Sequence, residues 1–252
     1  MMSSMTISWL VFACVFGGAL LGIIIRTVVP AHHLSPESKD IVKLGMGLIA
    51  TMAALLLGLL VSSTKGSYDK QRNELTEMSA KIIVLDRLMA HYGSETKEGR
   101  DLLRRSAVRL LNETWPENSS RPAQSEPTAA WAEALYDNIQ ALAPQNAAQR
   151  SFQAQALSRI IDLGQMRWLM IEQSGSSISI VFLVVVVFWL TIIFVSFGLY
   201  GPPNATVIVT LFLCALSVSG ALFLILELDQ PFEGLIQIPS APLRDALSRL
   251  GK

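Results

Sequence analysis

The chain has 252 residues, 20 Lys/Arg against 20 Asp/Glu, 51% hydrophobic residues and a mean hydropathy of +0.44. That hydropathy is too high for an ordinary soluble domain of this length, and a net charge of zero gives no electrostatic basis for nucleic-acid binding. The two cysteines, Cys14 and Cys214, both lie inside apolar runs, which excludes a disulfide framework, and no Cys/His spacing suggests zinc.

The first apolar run, Ile7–Ile25, carries no charge over 19 residues and is closed by Arg26. The preceding MMSSMTIS has no cationic segment, so the run reads as an uncleaved first span rather than a signal peptide. A helix of about 20 apolar residues crosses a hydrocarbon core of ~30 Å. Within the run, Gly18-Ala-Leu-Leu-Gly22 is a GxxxG motif that allows close approach of another helix backbone. Its partner is either the second span or a neighbouring copy. The following loop holds His32 and His33, which read as a solvated pair because no third metal ligand is nearby. Ser35-Pro36-Glu37-Ser38 predicts a helix start, with Ser35 as N-cap and Pro36 at the first helical position.

The second run, Val42–Val61, has only Lys43 as a charge. Gly47, Thr51, Ala54, Gly58 and Ser62 recur at steps of four and three, which gathers them on one helical face, with Lys65 near its end. A stripe of small residues in a membrane helix either forms a close helix seam or lines a wet path. From Tyr68 a heptad follows: Tyr68, Leu75, Ile82 and Met89, with Met78, Leu85 and Tyr92 interleaved. Gly66 is the only breaker between stripe and heptad, and one Gly costs ~1 kcal/mol without ending a helix. One helix from about Val42 to Tyr92 is predicted, ended by Gly93, with Ser94 capping the next.

That next helix covers Ser94–Thr114, with Leu103, Ala107 and Leu110 on one face and Arg100, Arg104 and Arg105 on the other. Glu117–Glu126 reads as a loop. Pro127 then opens a short helix carrying Trp131, Leu135 and Ile139. A longer amphipathic helix through Phe152, Ala156, Ile160, Leu163 and Arg167 is expected to feed into the third span, with Gly164 and Gly175 as weak points. The third and fourth runs, Ile178–Tyr200 and Ala205–Leu226, are uncharged and joined by the turn Tyr200-Gly-Pro-Pro-Asn204. Phe188, Trp189 and Phe194 suit a peripheral third span, and Ser217, Gly220 and Ala221 suit inner packing of the fourth. Glu227 and Asp229 end the fourth helix where its dipole disfavours acids, so salt bridges to Lys65, Arg72, Arg159 or Arg167 are expected. The competing reading is a cation or calcium site made of Glu227, Asp229 and Glu233. Ser240 caps a last helix whose Leu243, Leu247 and Leu250 face one way, onto the helical module or the membrane surface.

The expected fold is therefore all-α: a polytopic membrane protein with two transmembrane hairpins, residues 1–62 and 178–230, flanking a helical domain, 63–177, and a tail, 231–252. The domain holds 14 of the 20 Lys/Arg and 14 of the 20 Asp/Glu. Lys65, Lys70, Arg72, Arg159, Arg167, Arg244, Arg249 and Lys252 flank the spans on one side, against Arg26, Lys39 and Lys43 on the other. The positive-inside rule then puts the domain and both termini in the cytoplasm. No Ser/His/Asp, Cys/His or metal constellation suggests an enzyme. Uncharged spans speak against a pump or coupled transporter. Two classes remain: an oligomeric ion channel along the second span, or a membrane scaffold or sensor whose helical domain binds a partner.

His32-His-Leu-Ser-Pro-Glu-Ser-Lys-Asp40, Lys43-Leu-Gly-Met-Gly-Leu-Ile-Ala-Thr51, Leu59-Leu-Val-Ser-Ser63 and Asn73-Glu-Leu-Thr-Glu-Met-Ser-Ala-Lys81 resemble the mostly bacterial, bestrophin-like membrane proteins. So do Asp86-Arg-Leu-Met-Ala-His-Tyr-Gly93, Leu224-Ile-Leu-Glu-Leu-Asp-Gln-Pro-Phe232 and Ser240-Ala-Pro-Leu-Arg244. The resemblance implies a homo-oligomer, a pentamer by analogy, in the bacterial inner membrane, conducting small inorganic ions and in particular anions. It places Gly47, Thr51, Ala54, Gly58, Ser62 and Lys65 along the pore. It puts calcium at the end of the last span, although the acidic run of animal bestrophins is not reproduced by Glu227, Asp229 and Glu233. Gly18, Gly22 and the heptad from Leu75 to Tyr92 are the expected helix-packing residues. No other cofactor is implied.

Overall fold

The computed structural model describes residues 3–30, 36–116, 130–172 and 178–251. His32, His33, Ser35, the 117–126 loop, Pro127 and Gly175 lie outside these. The described chain is all-helical: α1 Ser4–Val28, α2 Pro36–Tyr92, α3 Lys97–Thr114, α4 Ala130–Gln140, α5 Ala147–Glu172, α6 Ile180–Tyr200, α7 Ala205–Leu228 and α8 Ala241–Arg249. Four of these, α1, α2, α6 and α7, are long and apolar enough to cross a membrane. Two compact units result, residues 1–68 with 176–236, and 69–175 with 237–252.

The membrane-spanning unit is organised around α1 and α6. Ser3 caps α1 by accepting the Thr6 amide at 3.2 Å. Ser4, Ser8, Val11, Val15, Gly18, Ala19 and Gly22 form its buried face, at steps of four and three. The GxxxG motif meets α6, which was not among its expected partners. A Cβ on Gly18 would lie 3.0 Å from Thr191 Cγ2, one on Gly22 would fall on the Val195 carbonyl oxygen, and one on Gly198 would fall on that of Ala19. Three glycines from two helices thus remove every side chain where the backbones touch, which is how helices associate when lipid supplies no hydrophobic drive. Beyond the contact, Arg26 donates a hydrogen bond to the Gly201 carbonyl and ties the end of α1 to the α6–α7 turn.

Two expectations are corrected here. The helix α6 is not peripheral: Leu183, Val186, Leu190, Ile193 and Phe194 are buried, while Phe182, Phe188 and Phe197 face outward. In α7, Ser217, Gly220 and Ala221 are exposed, whereas Leu211, Ala215, Ser219, Leu222 and Ile225 are buried. Size alone misassigned both faces, because Phe212 and its α1 neighbours Phe12 and Phe16 pack edge-on at 5.5 Å and carry bulk into the contact.

The second unit is built on the other half of α2. Tyr68, Leu75, Met78, Ile82, Leu85, Met89 and Tyr92 are all buried within the chain. The heptad is therefore occupied by the chain's own helices and is not free to bundle copies. Its partners include α3, where a Cβ on Gly99 would sit 3.4 Å from Met89 Sδ, and α5, where Phe152 stacks on His91 at 5.8 Å. Gly93, at φ +140°, turns the chain out of α2 in a conformation other residues avoid. Thr96, not Ser94, precedes α3, and its hydroxyl donates back to the Met89 carbonyl at 2.6 Å. The last helix, α8, packs on this unit: Leu243 and Ala246 are buried, and Trp115 Nε1 donates to the Ile238 carbonyl at 2.9 Å. Ser240 sits at its N-cap position without capping; its hydroxyl accepts from Arg244 Nε at 3.0 Å.

One ion pair holds this unit together. Asp86 on α2, 1% exposed, receives Arg100 Nε at 2.7 Å and Nη2 at 2.9 Å, and accepts the Gly251 amide at 3.3 Å. Donating its hydrogen bonds to the Asp86 carboxylate pushes the Arg100 pKa further up, ahead of the opposing effect of burial. Replacing Asp86 by Ala removes the buried acceptor of a half-buried guanidinium, a change expected to cost about 1–3 kcal/mol because water can reach part of the cation left behind. Urea unfolding of Asp86→Ala should show that loss, and Asp86→Ala with Arg100→Met should recover much of it.

Candidate functional site

The membrane half of α2 presents three faces. Taking Ala53 as the reference and 100° per residue, Met46, Ile49, Leu56, Leu57, Leu60 and Thr64 fall within about 60° of it. Ala53, Leu60 and Thr64 are buried, and the others pack against the core of the membrane unit. Gly47, Thr51, Ala54, Gly58, Ser62 and Lys65 lie roughly 100–180° round on one side, and all six are exposed. A Cβ on Gly47 or Gly58 would meet nothing within 4 Å. Leu44, Leu48, Leu55 and Leu59 are each more than 60% exposed; Leu48 and Leu59 occupy the remaining side, while Leu44 and Leu55 border the small residues near Ser62. The small residues thus stand together on a face that none of the described residues covers.

This exposure is peculiar to α2. Only 11% of its apolar stretch is buried inside the chain, against 28% in α1 and α7 and 33% in α6. The polar groups along the open face do not demand water: Thr51 Oγ1 donates to the Leu48 carbonyl at 2.7 Å. The Lys65 ammonium lies over the Tyr68 ring, 5.2 Å from its centroid, at the end of the face. Among residues 44–64 of this helix there is no acidic side chain.

At the end of α7 the three carboxylates do not gather. Among the described residues no three His, Cys, Asp or Glu side chains are placed to hold a metal ion. Glu227 is 5% exposed, and its Oε2 accepts the Leu235 amide at 2.5 Å, while Asp229 is half-buried and Glu233 exposed. The turn that brings this amide round depends on Gly234, at φ +79°, where a Cβ would strike the Glu227 carboxylate. An acid at the negative end of a helix is thus satisfied by a returning backbone amide. The expected partners Arg159 and Arg167 are engaged elsewhere, with Asp162 at 3.3 Å and Glu113 at 2.6 Å. Sequence reasoning missed Gly198, the Asp86–Arg100 pair and the Gly234 turn. Of these, only the Asp86/Arg100 couple had a signal, an unpaired charge on the heptad side of α2.

The architecture is that of a four-span helical membrane protein, two hairpins separated in sequence by a helical unit. The sequence matches the description of the bestrophin-like domain over residues 13–243, and the chain belongs to the bestrophin-like family. Among solved structures, a point variant of a bacterial bestrophin homologue from Klebsiella pneumoniae is similar with a TM-score of 0.71 and 13% identity, covering 99% of this chain and 97% of that one. A second variant of that homologue gives 0.65 and 14%, with 96% of each chain covered. A third gives 0.66 and 14%, covering 95% and 98%. At these identities the likeness is one of fold. No protein with a curated description matches the sequence.

Proposed function

We propose that the protein is a homo-oligomeric ion channel of the bacterial inner membrane, with the helical unit and both termini cytoplasmic. The pore follows the α2 face of Gly47, Thr51, Ala54, Gly58, Ser62 and Lys65. The observation that carries this is the exposure of α2: the least covered span carries a line of small residues, Gly47 and Gly58 among them, on its open side. In lipid, a lone helix gains nothing from a glycine face, whereas around a shared axis that face leaves room for a hydrated ion. One chain has too few spans to enclose such a path, so several copies are required, five by analogy with the family. Lys65 and the absence of acids along the face support an anion as the conducted species. A functional calcium site is not part of this reading, since Glu227 is held by backbone.

Purified protein in liposomes should pass chloride, and light scattering in detergent should give a multiple of the monomer mass. Vesicles that stay tight to both chloride and small cations would reject conduction and favour a scaffold. Reversing the charge at the end of the face gives a sharper reading. In Lys65→Glu the chloride-to-sodium permeability ratio should fall about tenfold, seen as a shift of reversal potential in a salt gradient.

A further inference from the structure

In the second unit, α4 and α5 come together at Gly164, where a Cβ would lie 3.9 Å from that of Ala132. Beside this crossing they leave a groove of 600 Å³ whose lining includes Trp131, Tyr136, Ile161 and Trp168. Ile161 and Trp168 are 48% and 59% exposed, a large apolar surface for a solvated helix. Glu133 and Asp137, one turn apart on α4, line the groove as well. Both are exposed, and neither has an ion-pair partner among the described residues. Arg167 also reaches the groove, but its charge is matched by Glu113. The groove is thus apolar within and acidic in net charge.

The same unit carries the complement. Leu103, Ala107 and Leu110 turn the apolar face of α3 into the core, so Arg104, Arg105 and Val108 face outward. Val108 is 41% exposed and follows Arg104 and Arg105 by one turn on the same side of the helix, where Arg105 Nε donates to the Asp101 carbonyl at 3.3 Å. We propose that α3 of one copy seats in the α4/α5 groove of the next. Val108 meets the apolar floor of Ile161 and Trp168, while Arg104 and Arg105 pair with Glu133 and Asp137. Arginine suits this place, since it stacks on aromatic rings while binding carboxylates. A helix laid in a groove is a common recognition mode, and opposite charges set its register. Because groove and helix are different patches of one chain, the contact is head-to-tail and can close into a ring. A second copy is the occupant because both halves of the complementarity belong to this sequence. The inference rests on the oligomeric reading above and specifies where subunits meet outside the membrane.

The test uses full-length protein with Cys14→Ala and Cys214→Ala, to which Asp137→Cys and Arg105→Cys are added. Oxidation should then produce a ladder from dimer up to the full ring, and neither single cysteine should do so. Adding Glu133→Lys should reduce the cross-linked fraction about tenfold, and combining it with Arg104→Glu should restore it. An oligomer of unchanged mass without the ladder would overturn this interface and leave the channel reading intact. Cross-linking of Asp137→Cys to a different protein would overturn it likewise. A monomeric mass for the unmodified protein would overturn both.

Discussion

Gly58→Trp should abolish chloride flux under the proposed channel function, by about a hundredfold or more, while the oligomer mass and helical content stay unchanged. Within one chain the substitution is harmless, because nothing lies within 4 Å of the new Cβ and the buried face of α2 is on the other side. Around a common axis the same indole is repeated in every copy, and a ring of large apolar side chains closes a narrow path by excluding water as well as ions. Leu59→Trp, about 100° round the helix from Gly58 on the bulky side, is the matched control and should conduct normally. Flux measured by chloride efflux, with both variants at equal protein-to-lipid ratio, decides the matter. Equal flux in the two variants would remove Gly58 from the pore.

Gly198→Leu has a comparably large effect on folding rather than on flux. Its Cβ would coincide with the Ala19 carbonyl oxygen of α1, and Gly22 opposes the Val195 carbonyl of α6 in the same way. No rotamer relieves a clash with backbone, so α1 and α6 must separate. Overpacking in a well-packed core costs 1–3 kcal/mol and sometimes more; here the whole α1–α6 seam is at stake. Gly198→Leu should fail to give a monodisperse peak in detergent. Gly17→Leu, on a neighbouring position of α1 with nothing within 4 Å, should elute like the parent. Normal behaviour of Gly198→Leu would show that the seam is not the organising contact of the membrane unit.

These two glycines mark the boundary of what could be read without coordinates. Hydropathy revealed four spans because crossing lipid imposes length and apolarity on each helix separately. The long α2 was legible for a similar reason: the 3-4 spacing, and the lack of any breaker but Gly66 between stripe and heptad, are properties of one segment. Whatever depended on a second segment was not legible. The GxxxG motif announced a close neighbour without naming α6, because Gly198 stands alone in an otherwise bulky helix. The acids closing α7 suggested salt bridges or a metal, yet Glu227 is satisfied by an amide supplied eight residues later, through a turn whose only signature is one glycine. The heptad showed that α2 pairs with something, but periodicity does not distinguish a neighbour in the same chain from a copy. On the small-residue stripe, the sequence left packing and a wet path open. The structure removes packing within the chain and leaves the choice to the assembly.

The unbroken course of α2 makes residue number between Ser62 and Tyr68 behave like the setting of a dial. Each residue added or removed there swings the glycine side by about 100° relative to the heptad, whereas seven residues change it by only ~20°. Homologous chains should therefore tolerate insertions in this interval chiefly as whole heptads, while single-residue insertions would aim leucines where glycines now stand.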